Sequence, residues 1–209
     1  MKDTEREYKW DSPNRQAFQC FLQAVRAQCE EVVCQGSRRI TDYYLDNAGK
    51  ELAARKVALR IRHIGEVWQA TLKSRSRLKN GLAVRKEYTL VLTGARSFGK
   101  ALKRLAQKKK WKDIPVENLQ EKFRICNHRR IYQCVYQNMC CELALDDYLT
   151  QAQGHQWRRR EIELELKKGP AKQFTKLIKN LTKQSCLSAA KISKVAGAEK
   201  WISQKFSFN

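Results

Sequence analysis

REIELELK, residues 160–167, alternates without a break: Ile162, Leu164 and Leu166 fall on one side and Glu161, Glu163, Glu165 and Lys167 on the other. A period of two marks a strand, because successive side chains point to opposite faces. The segment therefore has one apolar face and one ionic face. What decides the fold is which of the two the protein turns inward.

The same pattern recurs along the chain. EREYKW (5–10) sets Glu5, Glu7 and Lys9 in one row and Arg6, Tyr8 and Trp10 in the other. VALRIRH (57–63) opposes Arg60 and Arg62 to Leu59 and Ile61, and ATLK (70–73) opposes Lys73 to Leu72. VRKEYTL (84–90) aligns Arg85 with Glu87, and CELALD (141–146) aligns Glu142 with Asp146. Residues 3–10, 38–46, 55–64, 66–74, 82–92, 124–137, 139–147 and 158–168 read as strands, with turn signals at Gly65 and Asn80-Gly81. About eight strands is a number at which a sheet can close into a barrel of modest bore.

Three helices interrupt this pattern. One starts at Ser12-Pro13 and carries Phe18, Phe21, Leu22, Val25, Cys29 and Val32 at helical spacing up to Gly36. SFGKALKRLAQKKKW (97–111) is the second, with Phe98, Leu102 and Leu105 as its apolar stripe. The third follows Gly169-Pro170 and packs through Phe174, Leu177, Ile178 and Leu181. No repeat or linker divides the 209 residues, so residues 1–209 read as a single domain.

Forty-three Lys and Arg against 21 Asp and Glu leave a formal charge of +22, which points to polyanionic partners or substrates. The start, MKDTEREYKW, lacks an apolar targeting core, and no stretch approaches the roughly 18 apolar residues of a membrane span. The reading is a cytoplasmic protein with no membrane association, a monomer or homodimer. Eight cysteines without C-x-x-C spacing read as reduced apolar fillers, not zinc ligands. His63, His128 and His155 have no spacing that suggests metal binding, and Arg75, Arg77 and Lys79 read as a solvated turn.

Two arrangements satisfy the alternation. In one, helices cover the apolar face of an open antiparallel sheet and water covers the charged face. In the other, the apolar faces lie outward beneath the helices and the ionic faces line a water-filled tunnel. The mixture of acids with bases in the charged rows suits a site that holds both metal and phosphate.

At these residues the chain resembles a known family. Glu5-x-Glu7-x-Lys9 matches the ExExK signature of the CYTH domain, or triphosphate tunnel metalloenzyme, superfamily. The resemblance continues through YYLDN (43–47), ALRIR (58–62), TLK (71–73), Arg85-x-Glu87, a basic strand around Arg129, LALD (143–146), ELELK (163–167) and ISK (192–194). It implies an α+β, mainly β fold: a closed antiparallel eight-stranded tunnel with a charged interior and helices packed outside. It further implies Glu5, Glu7, Asp146, Glu163 and Glu165 as ligands for Mg2+ or Mn2+. Lys9, Arg60, Arg62, Lys73, Arg85, Arg129 and Lys194 would cradle a triphosphate, with Glu5, Glu7 and Lys9 at the catalytic centre. Carboxylate oxygens suit hard cations, and guanidinium forks suit phosphate.

The inorganic triphosphatase branch of bacteria is the most similar, which implies hydrolysis of tripolyphosphate. Thiamine, nucleoside or RNA 5'-triphosphatase and class IV adenylyl cyclase would use the same cradle. The run from Lys100 to Lys112, with Trp111 inside it, offers a non-enzymatic alternative, a module that binds polyphosphate or RNA. Two departures from the family stand out: Asp46-Asn47-Ala48 replaces Asp-Thr-Pro, and Gly197 stands where many members have arginine. Glu142 and Glu161 share rows with the chosen acids and read as rim or salt-bridge residues.

Overall fold

The computed structural model describes residues 3–74, 77–79, 81–108 and 110–206, with side chains described for all of these except 3–5, 74, 77–79, 84–86 and 110. The strands are β1 (Asp3–Asp11), β2 (Glu31–Asp46), β3 (Val57–Ile64), β4 (Val67–Ser74), β5 (Arg77–Lys79), β6 (Leu82–Val91), β7 (Lys110–Trp111), β8 (Ile114–Pro115), β9 (Gln120–Tyr136), β10 (Met139–Ala152) and β11 (His155–Lys168). The helices are α1 (Arg15–Gln28), α2 (Glu51–Ala54), α3 (Phe98–Ala106), α4 (Ala171–Ser185) and α5 (Lys194–Phe206). No helix among the described residues is long and apolar enough to cross a membrane.

Nine strands form one antiparallel sheet in the order β1-β11-β10-β9-β2-β3-β4-β6-β5, and β7 pairs with β8 separately. The sheet curls because β1 also pairs with β6. Along β1, residues Asp3–Tyr8 register against β6 and Glu7–Asp11 against β11, so only Glu7 and Tyr8 are flanked on both sides. The expected closed eight-stranded tunnel is therefore corrected to a curled nine-stranded sheet with a staggered seam. The physical reason is that the nine residues of β1 are divided between two partners, while β5 takes the edge of β6 beyond the reach of β4.

The apolar faces do lie outward. Trp10 of β1, Leu143 and Leu145 of β10 and Ile162 and Leu164 of β11 pack with Phe21 and Val25 of α1 and Phe174, Leu177 and Leu181 of α4. A second cluster joins Leu59 and Ile61 of β3 and Ala70 and Leu72 of β4 to Ala101 and Leu105 of α3. The outward position of these aliphatic side chains is thus explained by the helices laid over them.

One helix departs from the expectation that helices pack outside. α5 lies on the same side as the ionic rows, its Ala198, Val195 and Trp201 in a cluster with Tyr44, Phe123, Ile125 and Tyr148. Inward-facing positions at the ends of β9 and β10 turn from charged to apolar there, and α5 covers them.

The first helix also ends earlier than its spacing suggests. Asn14, not Ser12, caps it by accepting from the Ala17 amide, and Cys29 follows its last residue. Val32, which continued the helical period, lies instead in β2 opposite Cys134 of β9, and Gly36 adopts φ +92 at a bulge. The β-branched pair Val32-Val33 prefers the pleated, paired conformation.

Candidate active site

The concave face encloses a cavity of about 690 Å3. Glu7, Lys9, Arg60, Arg62, Lys73, Arg129, Glu163, Glu165 and Lys194 all line it. Strand alternation brings them together: each sits at an inward position of its strand, and Lys194 enters from the first turn of α5.

Two networks account for most of the charge. In the first, the Lys194 ammonium lies 2.7 Å from an oxygen of Asp146, 2.7 Å from Glu163 and 3.1 Å from Glu161. Arg129 donates to both oxygens of Asp146, at 2.7 and 2.6 Å, and also to Glu163. Lys9 donates to Glu163 and lies 3.3 Å from Glu7. In the second, Arg62 grips Asp42 with two bonds of 2.6 Å, Arg60 approaches the same carboxylate at 3.4 Å, and Lys73 donates to Glu87.

These groups are nearly dry: Glu7, Lys9, Glu163 and Arg60 are 4–7% exposed, and Asp146 and Glu161 are fully buried. At Lys9, Asp146 and Glu163 burial disfavours the charged form, yet their partners outweigh it. Burial favours the neutral form of Glu163, but Lys194, Lys9 and Arg129 hold its carboxyl well below the usual range. Asp146 is likewise held down to about 2, burial being overcome by Arg129 and Lys194. Lys194 and Arg129 are pushed up despite burial, chiefly by Asp146 with Glu161 or Glu163.

A different environment surrounds Glu165. It stands opposite Glu7 on β1 and opposite Glu142 on β10, so three carboxylates lie in one cross-strand row. Burial raises the Glu165 carboxyl first; Lys167, 2.7 Å away, lowers it, and Glu142 and Glu7 raise it again. Like charges placed directly opposite are destabilising unless a cation lies between them, and carboxylate oxygens are the donors hard divalent ions prefer. This row fits a divalent ion by its chemistry, although no group of three His, Cys, Asp or Glu among the described residues has already converged on one point.

Asp146 differs from the other members of the expected metal set. It lies beneath the cavity wall, not in the lining, and accepts from Arg129, Lys194 and the Asn127 amide at 2.8 Å. Glu161 plays a similar part, accepting from the Tyr148 hydroxyl at 2.9 Å as well as pairing with Lys194. Its reading as a salt-bridge residue holds; its reading as a rim residue does not. Glu5 and Arg85 are opposed in register across β1 and β6, but their side chains lie outside the described ones, as do those of Arg77 and Lys79. Arg75 is also outside the described residues.

Several site residues carry weaker signals in the sequence. Asp42 was readable, since TDYYLD (41–46) repeats the period with Asp42, Tyr44 and Asp46 on one face. Glu87 was seen in its row but not paired with Lys73. Asn127 carries no charge and leaves no trace in a search for ionic rows.

The two departures also find their places. Asp46 accepts from the amides of Asn47, Leu52 and Ala53, which fixes the chain entering α2. Gly197 does not line the cavity; a Cβ there would lie 2.8 Å from a guanidinium nitrogen of Arg159, which occupies the adjoining space and pairs with Asp11.

Fold and site together define a class: a curled antiparallel sheet that carries matched acids and bases on its concave face. The chain belongs to the CYTH domain family, whose model matches residues 5–198. No curated protein matches it. Among solved structures it is similar to a Hippeastrum protein proposed as an adenylyl cyclase and described as having a dominant triphosphatase activity, at 21% identity and TM-score 0.63, covering 94% of this chain and 96% of that one. A proposed adenylate cyclase from Bacillus halodurans aligns over 100% of this chain and 99% of its own at 18% identity and TM-score 0.60. The triphosphatase of the Mimivirus capping enzyme covers 87% of this chain and 90% of its own at 13% identity and TM-score 0.53. At these identities the likeness establishes the fold.

Proposed function

We propose that residues 1–209 form one catalytic unit, a divalent-metal-dependent triphosphatase, and that its substrate is inorganic tripolyphosphate, cleaved to pyrophosphate and phosphate. The observation that carries this reading is the pair of self-neutralised networks that line and back the cavity. Their cations Lys9, Arg60, Arg62, Lys73, Arg129 and Lys194 are matched by the carboxylates Glu7, Asp42, Glu87, Asp146, Glu161 and Glu163.

Such pairs are costly to leave half-broken, because a lone buried charge loses both water and partner. A triphosphate chain supplies replacement acceptors for the arginines and lysines along its whole length. Arg62 and Arg129 offer forks for bidentate contact, and Lys9, Lys73 and Lys194 serve as movable point charges. Glu7, Glu163 and Glu165, with Glu5 and the opposed Glu142, would hold Mg2+ or Mn2+. Such an ion, when bound, would act as a Lewis acid toward a phosphoryl oxygen and lower the pKa of bound water. Asp146 and Glu161 fit a positioning role, keeping Arg129 and Lys194 aimed at the phosphates. In-line attack by water on the terminal phosphorus then requires orientation and charge compensation but no covalent nucleophile.

The test is a phosphate-release panel with Mg2+ or Mn2+ across tripolyphosphate, thiamine triphosphate, nucleoside triphosphates and triphosphorylated RNA. The reading predicts the highest kcat/KM for tripolyphosphate and none without divalent metal. Preference for an organic triphosphate would overturn the substrate, and no phosphate from any compound would overturn the activity.

A further inference from the structure

The convex face carries a second charged feature that the cavity does not use. Register places Arg39 of β2 opposite His128 of β9, His128 opposite Asp147 of β10, and Asp147 opposite Arg160 of β11. At about 4.8 Å per strand, this row runs roughly 14 Å across the sheet. Asp147 is its only carboxylate. Arg158 grips Asp147 with two bonds of 2.8 Å, Arg15 donates to it at 2.9 Å, and Arg160 lies 3.5 Å away. Arg39 and Arg130 beside them are exposed and, among the described residues, have no ion-pair partner.

We propose that this convex arginine cluster binds the phosphate backbone of duplex nucleic acid without reading its sequence. Arg15, Arg39, Arg130, Arg158 and Arg160 around a single carboxylate leave a strong excess of positive charge. Asp147 holds Arg15 and Arg158 in place by hydrogen bonds, so less side-chain freedom is lost when phosphates arrive. A duplex presents about one charge per 1.7 Å of axis, or about eight over the length of the row.

The choice of a duplex follows from what the patch lacks. Its outward positions, from Arg39 and Thr41 across Cys126, His128, Arg130 and Leu149 to Arg158, hold no Phe, Tyr or Trp on which unpaired bases would stack. The basic run of α3 is a weaker candidate: among the described residues no carboxylate pairs with Lys100, Lys103 or Arg104 to hold them in place.

Fluorescence anisotropy of the full chain with a 5'-hydroxyl RNA duplex tests the proposal, since such a duplex carries no triphosphate for the cavity. The Arg39→Ala/Arg130→Ala/Arg158→Ala variant should bind at least about tenfold more weakly. It should also flatten the dependence of log Kd on log salt by about 2 to 3, near 0.9 for each lost phosphate contact. Its melting temperature and its phosphate release from tripolyphosphate should match the parent protein. A Lys100→Ala/Lys103→Ala/Arg104→Ala variant should retain most of the affinity. Unchanged binding in the first variant, loss confined to the second, or equal binding of single-stranded RNA or polyglutamate would each overturn the proposal. Because binding is read without turnover, none of these outcomes bears on the triphosphatase reading.

Discussion

Asp146 shows how a single buried carboxylate ties stability to the site. Its carboxyl is held down to about 2, below the usual 3.8 of an aspartate, by Arg129 and Lys194 against the effect of burial. A depressed carboxyl contributes stability that is complete above the unfolded pKa and is lost as pH falls through the folded one. The window is therefore about pH 4 down to about pH 2, and the contribution is about 2 kcal/mol. Urea denaturation of the parent protein across that window should show stability falling with acid, and Asp146→Asn should show a shallower fall. The same residue marks a limit of sequence reading. Alternation places Asp146 on the ionic face, but cannot tell that Arg129 and Lys194 cover it while Glu7 and Glu163 reach the cavity.

At the scale of elements, one glycine decides a close approach. Gly81 precedes β6 with φ +81, and a Cβ there would stand 2.8 Å from the Lys9 carbonyl and 2.7 Å from the Tyr8 ring. Its own carbonyl accepts from the Lys9 amide at 2.9 Å, so the turn is tied to the strand that carries Glu7 and Lys9. Gly81→Ala should cost about 1–3 kcal/mol by thermal denaturation, since both the left-handed backbone and the contact oppose it. Elements with a strong period were legible: β1, β3, β4 and β11 follow from alternation, and α4 from its stripe of Phe174, Leu177, Ile178 and Leu181. α5 was missed although ISK was singled out, because Gly197 interrupts its helical signal and its buried face is as small as Gly197 and Ala198. The start of β2 was hidden because Cys29 and Val32 prolong the helical period of α1.

Over the whole molecule, the ionic faces are turned inward and the helices α1, α3 and α4 hold the apolar faces from outside. Sequence alternation alone left the sheet free to face either way; the family resemblance chose the direction, and the curling of β1 against both β6 and β11 realises it. The staggered seam that replaces the expected closed tunnel was harder to foresee, since the division of β1 between two partners depends on register, which alternation does not specify. On the proposed function, Glu7 on this concave face serves metal-dependent hydrolysis of a triphosphate. Glu7→Gln keeps the side chain's shape and removes its charge. Measured with Mg2+ or Mn2+ and tripolyphosphate, the variant should lose about 100-fold or more in kcat, with a Tm within about 4 °C of the parent's. Turnover at the parent's rate in a folded Glu7→Gln protein would contradict the account.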